Sequence, residues 1–130
     1  MSATIFTRII NRELPAEFLY EDDTVVAILN RFPNTEGETL VITKEPVSYV
    51  FDLEDRTYAH LMEVTKKIAE ALDRTFDTLR TCVVIEGFDV PHVHVRLYPV
   101  MDGVLNTHSG PEASDEELAR VGEKIRSNLS

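Results

Sequence analysis

A chain of 130 residues with 43% hydrophobic side chains is long enough for one sizeable core and too short for two. Its formal net charge of -10 argues against partners held by charge, whether the phosphate backbone of nucleic acid or an anionic membrane surface. No apolar run approaches the ~20 residues of a membrane span, and the start lacks a basic-then-apolar leader, so a cytoplasmic protein is expected.

Residues 4–11 carry Ile5, Ile9 and Ile10 at helical spacing and read as a short helix. Phe18–Glu21 and Thr24–Leu29 flank the polar pair Asp22-Asp23, a hairpin signal. A loop over Asn30–Glu38 contains Pro33, Asn34 and Gly37, and Thr39–Thr43 is the third strand. Leu53 to Phe76 is the clearest helix. Tyr58, Leu61, Met62, Thr65, Ile68, Ala69, Leu72 and Phe76 keep its apolar spacing, and Asp52 or Asp55 is placed to cap it. His60 falls on the flank of that stripe and reads as an edge histidine. Leu79–Glu86 is a strand whose single cysteine, Cys82, reads as a small buried hydrophobe, with no disulfide framework. Met101–Ala113 reads as a loop holding a passive His108. Ser114-Asp115-Glu116-Glu117 then forms a capping box for a last helix on Leu118, Val121, Ile125 and Leu129. Residues 1–103 are therefore expected to form the domain, and 104–130 an extension packed on it or on a partner subunit.

The stretch with chemistry in it is Pro91–Val100, P-H-V-H-V-R-L-Y-P-V. With a period of two, Val93, Val95 and Leu97 take one face of a strand and His92, His94, Arg96 and Tyr98 the other. Two imidazoles and a guanidinium in a row have three readings: a chance surface or core strand, two ligands of a metal site, or a phosphate site. Arginine cannot ligate a metal but offers phosphate a two-pronged fork, which favours the phosphate. Just before it, Glu86–Pro91 is a short loop. Gly87 can take positive φ there and main-chain N–H groups can cradle an anion.

The run resembles the motif of the histidine-triad (HIT) family of nucleotide hydrolases and transferases, three histidines separated by apolar residues. His92 and His94 match the first two, and Arg96 stands at the third place. The likeness extends through Ile5-Phe6-Thr7-Arg8-Ile9-Ile10, Glu13-Leu14-Pro15-Ala16, Tyr20-Glu21-Asp22-Asp23, Val25–Leu29, Pro33, Gly37 and Thr39–Ile42, from about residue 4 to residue 100.

That resemblance implies an α+β fold: an antiparallel sheet of about five strands, one long helix, a short N-terminal helix and a C-terminal helix. It implies a homodimer joined through the long helix and the strand after it, and a nucleotide or nucleotide conjugate as ligand. His94 would attack the α-phosphorus to give a nucleotidyl-histidine, His92 would hold the network and contact phosphate, and Arg96 would bind phosphate oxygens. Asn30 stands where relatives hold the ribose hydroxyls with Asp. Gly87 and Asp89 fall in the phosphate loop, Asp89 either orienting an imidazole or serving as a plain turn former. Thr4 and Thr7 replace a Cys-x-x-Cys that holds structural zinc in many relatives, so no metal is expected there. Pro46 replaces a histidine, and Lys44 beside it reads as a solvated lysine. No cofactor is required, although Mg²⁺ accompanies polyphosphate substrates. Because Arg96 cannot shuttle a proton, and Asn30 and Pro46 also depart from the family pattern, a nucleotide-binding module with weak or no turnover is the alternative to an enzyme, and a metal-binding protein the weaker one.

Overall fold

The computed structural model describes residues 3–129. In chain order the elements are α1 (Ile5–Ile10), β1 (Phe18–Glu21), β2 (Val25–Leu29), β3 (Thr39–Thr43), α2 (Asp55–Thr75), β4 (Arg80–Val84), β5 (His94–Val100) and α3 (Asp115–Ser127). The strands form one sheet in the order β1-β2-β3-β5-β4, every neighbour antiparallel. This is the expected α+β architecture.

Both faces of the sheet centre are covered, which is why β2 and β3 are unbroken apolar or threonine runs rather than alternating ones. On one face Val41, Val95 and Leu97 meet Leu61, Val64, Ile68 and Leu72 of α2, and Leu118, Val121 and Ile125 of α3 complete the same core. Each of these aliphatic side chains contributes about 1.5–3 kcal/mol on burial. The extension thus packs on its own domain, tied further by Arg126 to Glu17 at 2.6 Å and Arg31 to Asp115 at 2.8 Å. On the other face Val26, Ile28, Leu40 and Ile42 meet Phe6 and Ile9 of α1.

The element ends differ from the sequence reading for local reasons. Helix α2 starts at Asp55, after a 3₁₀ turn at Val50–Asp52. Its N-cap is Glu54, and neither Asp52 nor Asp55 caps it, because no side chain bonds the first-turn N–H groups. At α3 only half of the predicted box forms, with the Glu117 N–H donating to Ser114 Oγ. The complete capping box is at the start of α1, between Thr4 and Thr7. Strand β4 ends at Val84, and β5 begins at His94, three residues later than the sequence suggests. The Val93 N–H turns aside to the Val47 carbonyl at 2.8 Å instead of entering the β3 ladder opposite Thr43. As the sheet edge, β4 leaves Val83 exposed and Cys82 half-buried rather than buried. Lys44 is paired with Glu21 at 2.9 Å rather than free in water. His60 is an edge histidine bonded to the hairpin's Asp22 at 2.6 Å, and His108 is exposed in its loop. Among the described residues no helix is long and apolar enough to cross a membrane.

Candidate active site

The α1-facing side of β5 carries the polar rail. His94 lies opposite Ile42 and Arg96 opposite Leu40, both on β3 and both in the apolar layer under α1. The rail is therefore buried among hydrocarbon, with His92 0% and His94 2% exposed. The Phe6 ring stands edge-on to both imidazoles, its centroid 4.8 Å from His94 and 5.8 Å from His92.

The hydrogen bonds fix both ring tautomers. A carbonyl only accepts, so His92 Nε2–H donates to the Thr43 carbonyl at 2.7 Å. His92 Nδ1 then accepts from the Thr4 hydroxyl, also at 2.7 Å. His94 Nδ1–H donates to the His92 carbonyl at 2.6 Å, so Nε2 of His94 keeps a lone pair. Neither nitrogen of His92 is thus left free for the phosphate contact expected of it. Both its nitrogens are used in joining α1 to β3 and in holding the carbonyl that orients His94. This also weighs against the metal reading, since of the two imidazoles only His94 has a nitrogen to offer. Among the described residues no three His, Cys, Asp or Glu side chains converge as ligands.

Burial holds both imidazoles below their ordinary 6.5. For His94 the Arg96 charge adds to the effect of burial, and the bond to the His92 carbonyl opposes it. Two histidines kept neutral by the fold bind fewer protons than they do in the unfolded chain. Stability is then full above the unfolded value of 6.5 and is lost as pH falls from there through the lower folded values. Thermal melts should show the midpoint dropping below pH 6.5, and His92→Gln should flatten that slope. An unchanged slope would exclude His92 as its source.

Beyond His94 the rail continues to Arg96, whose guanidinium is 3.5 Å from the Tyr98 hydroxyl and 3.6 Å from Glu86 Oε1. Glu86 Oε1 also lies 4.0 Å from His94 Nε2. Sequence reasoning passed over this carboxylate, although hairpin counting reveals it. Val84 pairs with Arg96 and Cys82 with Tyr98, so the next residue of that parity, Glu86, comes opposite His94. Gly87 follows at φ +73, turning the chain so that the Phe88 N–H donates to the other Glu86 oxygen at 2.6 Å.

Two expected site residues do other work. Asp89 is exposed, and the imidazole N–H groups go to main-chain carbonyls, so it does not orient either ring. Asn30 donates to Glu38 at 2.6 Å and accepts from the Phe32 N–H at 2.9 Å, shaping its loop. Asn30 nevertheless lines a 260 Å³ cavity with Phe6, Ile9, Ile28, Leu40 and Leu118. Phe6 borders both this apolar cavity and the imidazoles, so a ligand's ring can occupy the one while its polar end reaches the other.

A small antiparallel α+β domain with a buried His-x-His strand beside an apolar cavity is the architecture of the histidine-triad proteins, and wider comparison agrees. Residues 11–100 match the HIT domain, and the chain belongs to that family. It is 37% identical over 102 residues to an uncharacterised HIT-like protein of Borreliella burgdorferi, covering 73% of each chain. It is 30% identical to an adenosine 5'-monophosphoramidase of Saccharomyces cerevisiae, covering 93% of this chain and 77% of that protein. A HIT-like protein of Bartonella henselae involved in cell-cycle regulation superposes with a TM-score of 0.85 at 30% identity, covering 97% of this chain and 96% of the other.

Proposed function

We propose that this protein is a nucleotide hydrolase or nucleotidyl transferase acting on a nucleoside phosphoramidate or polyphosphate through an intermediate on His94. The observation that carries the reading is the His94 tautomer. With Nδ1–H held by the His92 carbonyl at 2.6 Å, Nε2 presents its lone pair to the side of the site where Arg96 stands. The nucleoside would sit in the cavity bounded by Phe6 and Ile28, and Arg96 would hold the phosphate oxygens. Nε2 attacks phosphorus, a P–N bond forms, and the leaving group departs with the electron pair of its own bond to phosphorus, an amine taking up a proton from solvent as it leaves. Water then attacks phosphorus, the P–N bond breaks with its pair returning to Nε2, and nucleoside monophosphate leaves.

The named activity of the Saccharomyces cerevisiae relative favours an adenosine phosphoramidate as the first substrate to try. A binding module with little turnover is the second reading, favoured by Arg96, which stays protonated and cannot relay a proton. Incubation with adenosine 5'-phosphoramidate and with diadenosine tetraphosphate separates the two. The enzyme yields adenosine monophosphate and an adenylylated protein visible by intact mass, whereas tight binding of both without product leaves the module. The homodimer belongs to the same reading. The β4 edge exposes Val83 and the adjoining Leu79 to solvent, and a second copy of the sheet edge would cover them.

A further inference from the structure

If His94 attacks phosphorus, the reaction still needs a group to take a proton from the hydrolytic water, and the rail does not hold one. His92 has both nitrogens engaged, His94 is bonded to phosphorus at that stage, and Arg96 does not titrate. Among the described residues two buried side-chain polar atoms lack a hydrogen-bond partner, and they are neighbours at this spot: Arg96 Nε, a donor, and Glu86 Oε1, an acceptor. Leaving such atoms unpaired costs about 1–3 kcal/mol each, so the pair is built to receive something. A phosphate oxygen satisfies the arginine. It cannot satisfy the carboxylate, which needs an O–H or N–H donor.

We propose that Glu86 is the catalytic base of the hydrolytic step, its Oε1 taking the proton from the water that attacks the nucleotidyl-His94 intermediate. This assignment rests on the hydrolase reading above. The water oxygen bonds to phosphorus, one of its protons passes to Oε1, and the P–Nε2 bond breaks with its electron pair returning to the imidazole. The carboxyl group then loses that proton to bulk water. The charged and titratable groups around Glu86 are His94, Arg96 and Tyr98 from β5, with Tyr49 and Tyr58 across the small cleft that Glu86 and His94 line. Arg96 keeps the carboxylate beside a cation, while the Phe88 N–H fixes its second oxygen and leaves Oε1 directed at the site. The same carboxylate disfavours a polyphosphate leaving group, all acceptor and negative, relative to a neutral amine.

The test follows the adenylylated protein by intact mass after mixing with adenosine 5'-phosphoramidate or the p-nitrophenyl ester of adenosine monophosphate. In Glu86→Gln, which keeps the size and the bond to Phe88, the aryl ester should still load His94, and the adduct should persist about 100-fold longer than in the wild type. In Glu86→Ala, azide, which attacks with no proton to lose, should restore release as the adenosine phosphorazidate. An adduct lifetime within about threefold of wild type overturns the assignment, because a general base contributes far more than that. A long-lived adduct that azide does not shorten also overturns it and leaves Glu86 a positioning residue for Arg96. Wild-type protein that forms neither adduct nor product from either substrate removes the hydrolase reading and this one together. Loss of the Glu86 effect alone leaves the hydrolase reading standing.

Discussion

Replacing His94 with alanine is expected to remove both the adenylylated protein and the release of monophosphate, a loss of roughly 10⁴-fold or more in turnover. The size of the effect follows from the lack of a substitute. The neighbouring imidazole of His92 cannot take over, because its two nitrogens are bonded to the Thr4 hydroxyl and the Thr43 carbonyl and it is fully buried. Nucleoside binding should survive, since Phe6, Ile9, Ile28 and Leu40 form the cavity without help from His94. Intact mass and product assay read the loss, and titration with adenosine monophosphate confirms that the pocket is still present. An adduct still forming in His94→Ala would place the nucleophile elsewhere and end the assignment to His94.

Arg96→Met should lower turnover by about 10²–10³-fold, the usual effect of deleting one charge-stabilising donor from a water-poor site. Two consequences add up here. The phosphate oxygens lose their fork, and Glu86 loses the cation 3.6 Å away that makes a carboxylate tolerable there. Arg96→Lys keeps the charge but not the planar pair of donors and should recover only part of the rate. Steady-state kinetics should show the loss mainly in kcat, because charge accumulates on the phosphate oxygens as the transition state is reached. A change within about threefold would mean that the guanidinium only fills space beside Tyr98.

The layout of the sheet was readable because its signals are periodic. Short runs of apolar and β-branched residues bounded by turn formers read as strands, and the stripe from Leu61 to Leu72 reads as a helix. Alternation likewise placed His94 and Arg96 side by side on β5. What alternation cannot tell is which partner each nitrogen takes. His92 lies just ahead of the ladder, and its fate was decided by Thr4, 88 residues away, and by a carbonyl on β3. Asn30 and Asp89 were assigned by position in a family pattern; Asn30 bonds within its own loop while lining the cavity, and Asp89 faces solvent. Glu86 escaped notice because it ends a strand, where side-chain direction depends on the next residue's φ, here that of Gly87. Ends of elements were misjudged for the same reason. They are set by single main-chain bonds such as Val93 to Val47, which leave no periodic trace.

The link from Thr4 to His92 makes the cap of α1 a remote adjusting screw. The Thr4 hydroxyl steadies the imidazole of His92, whose main-chain carbonyl holds the Nδ1–H tautomer of His94, so two bonds of 2.7 and 2.6 Å join the amino-terminal helix to the proposed nucleophile. Trimming or rebuilding those opening residues would therefore be felt as chemistry rather than as a loose end, even though none of them need touch phosphorus.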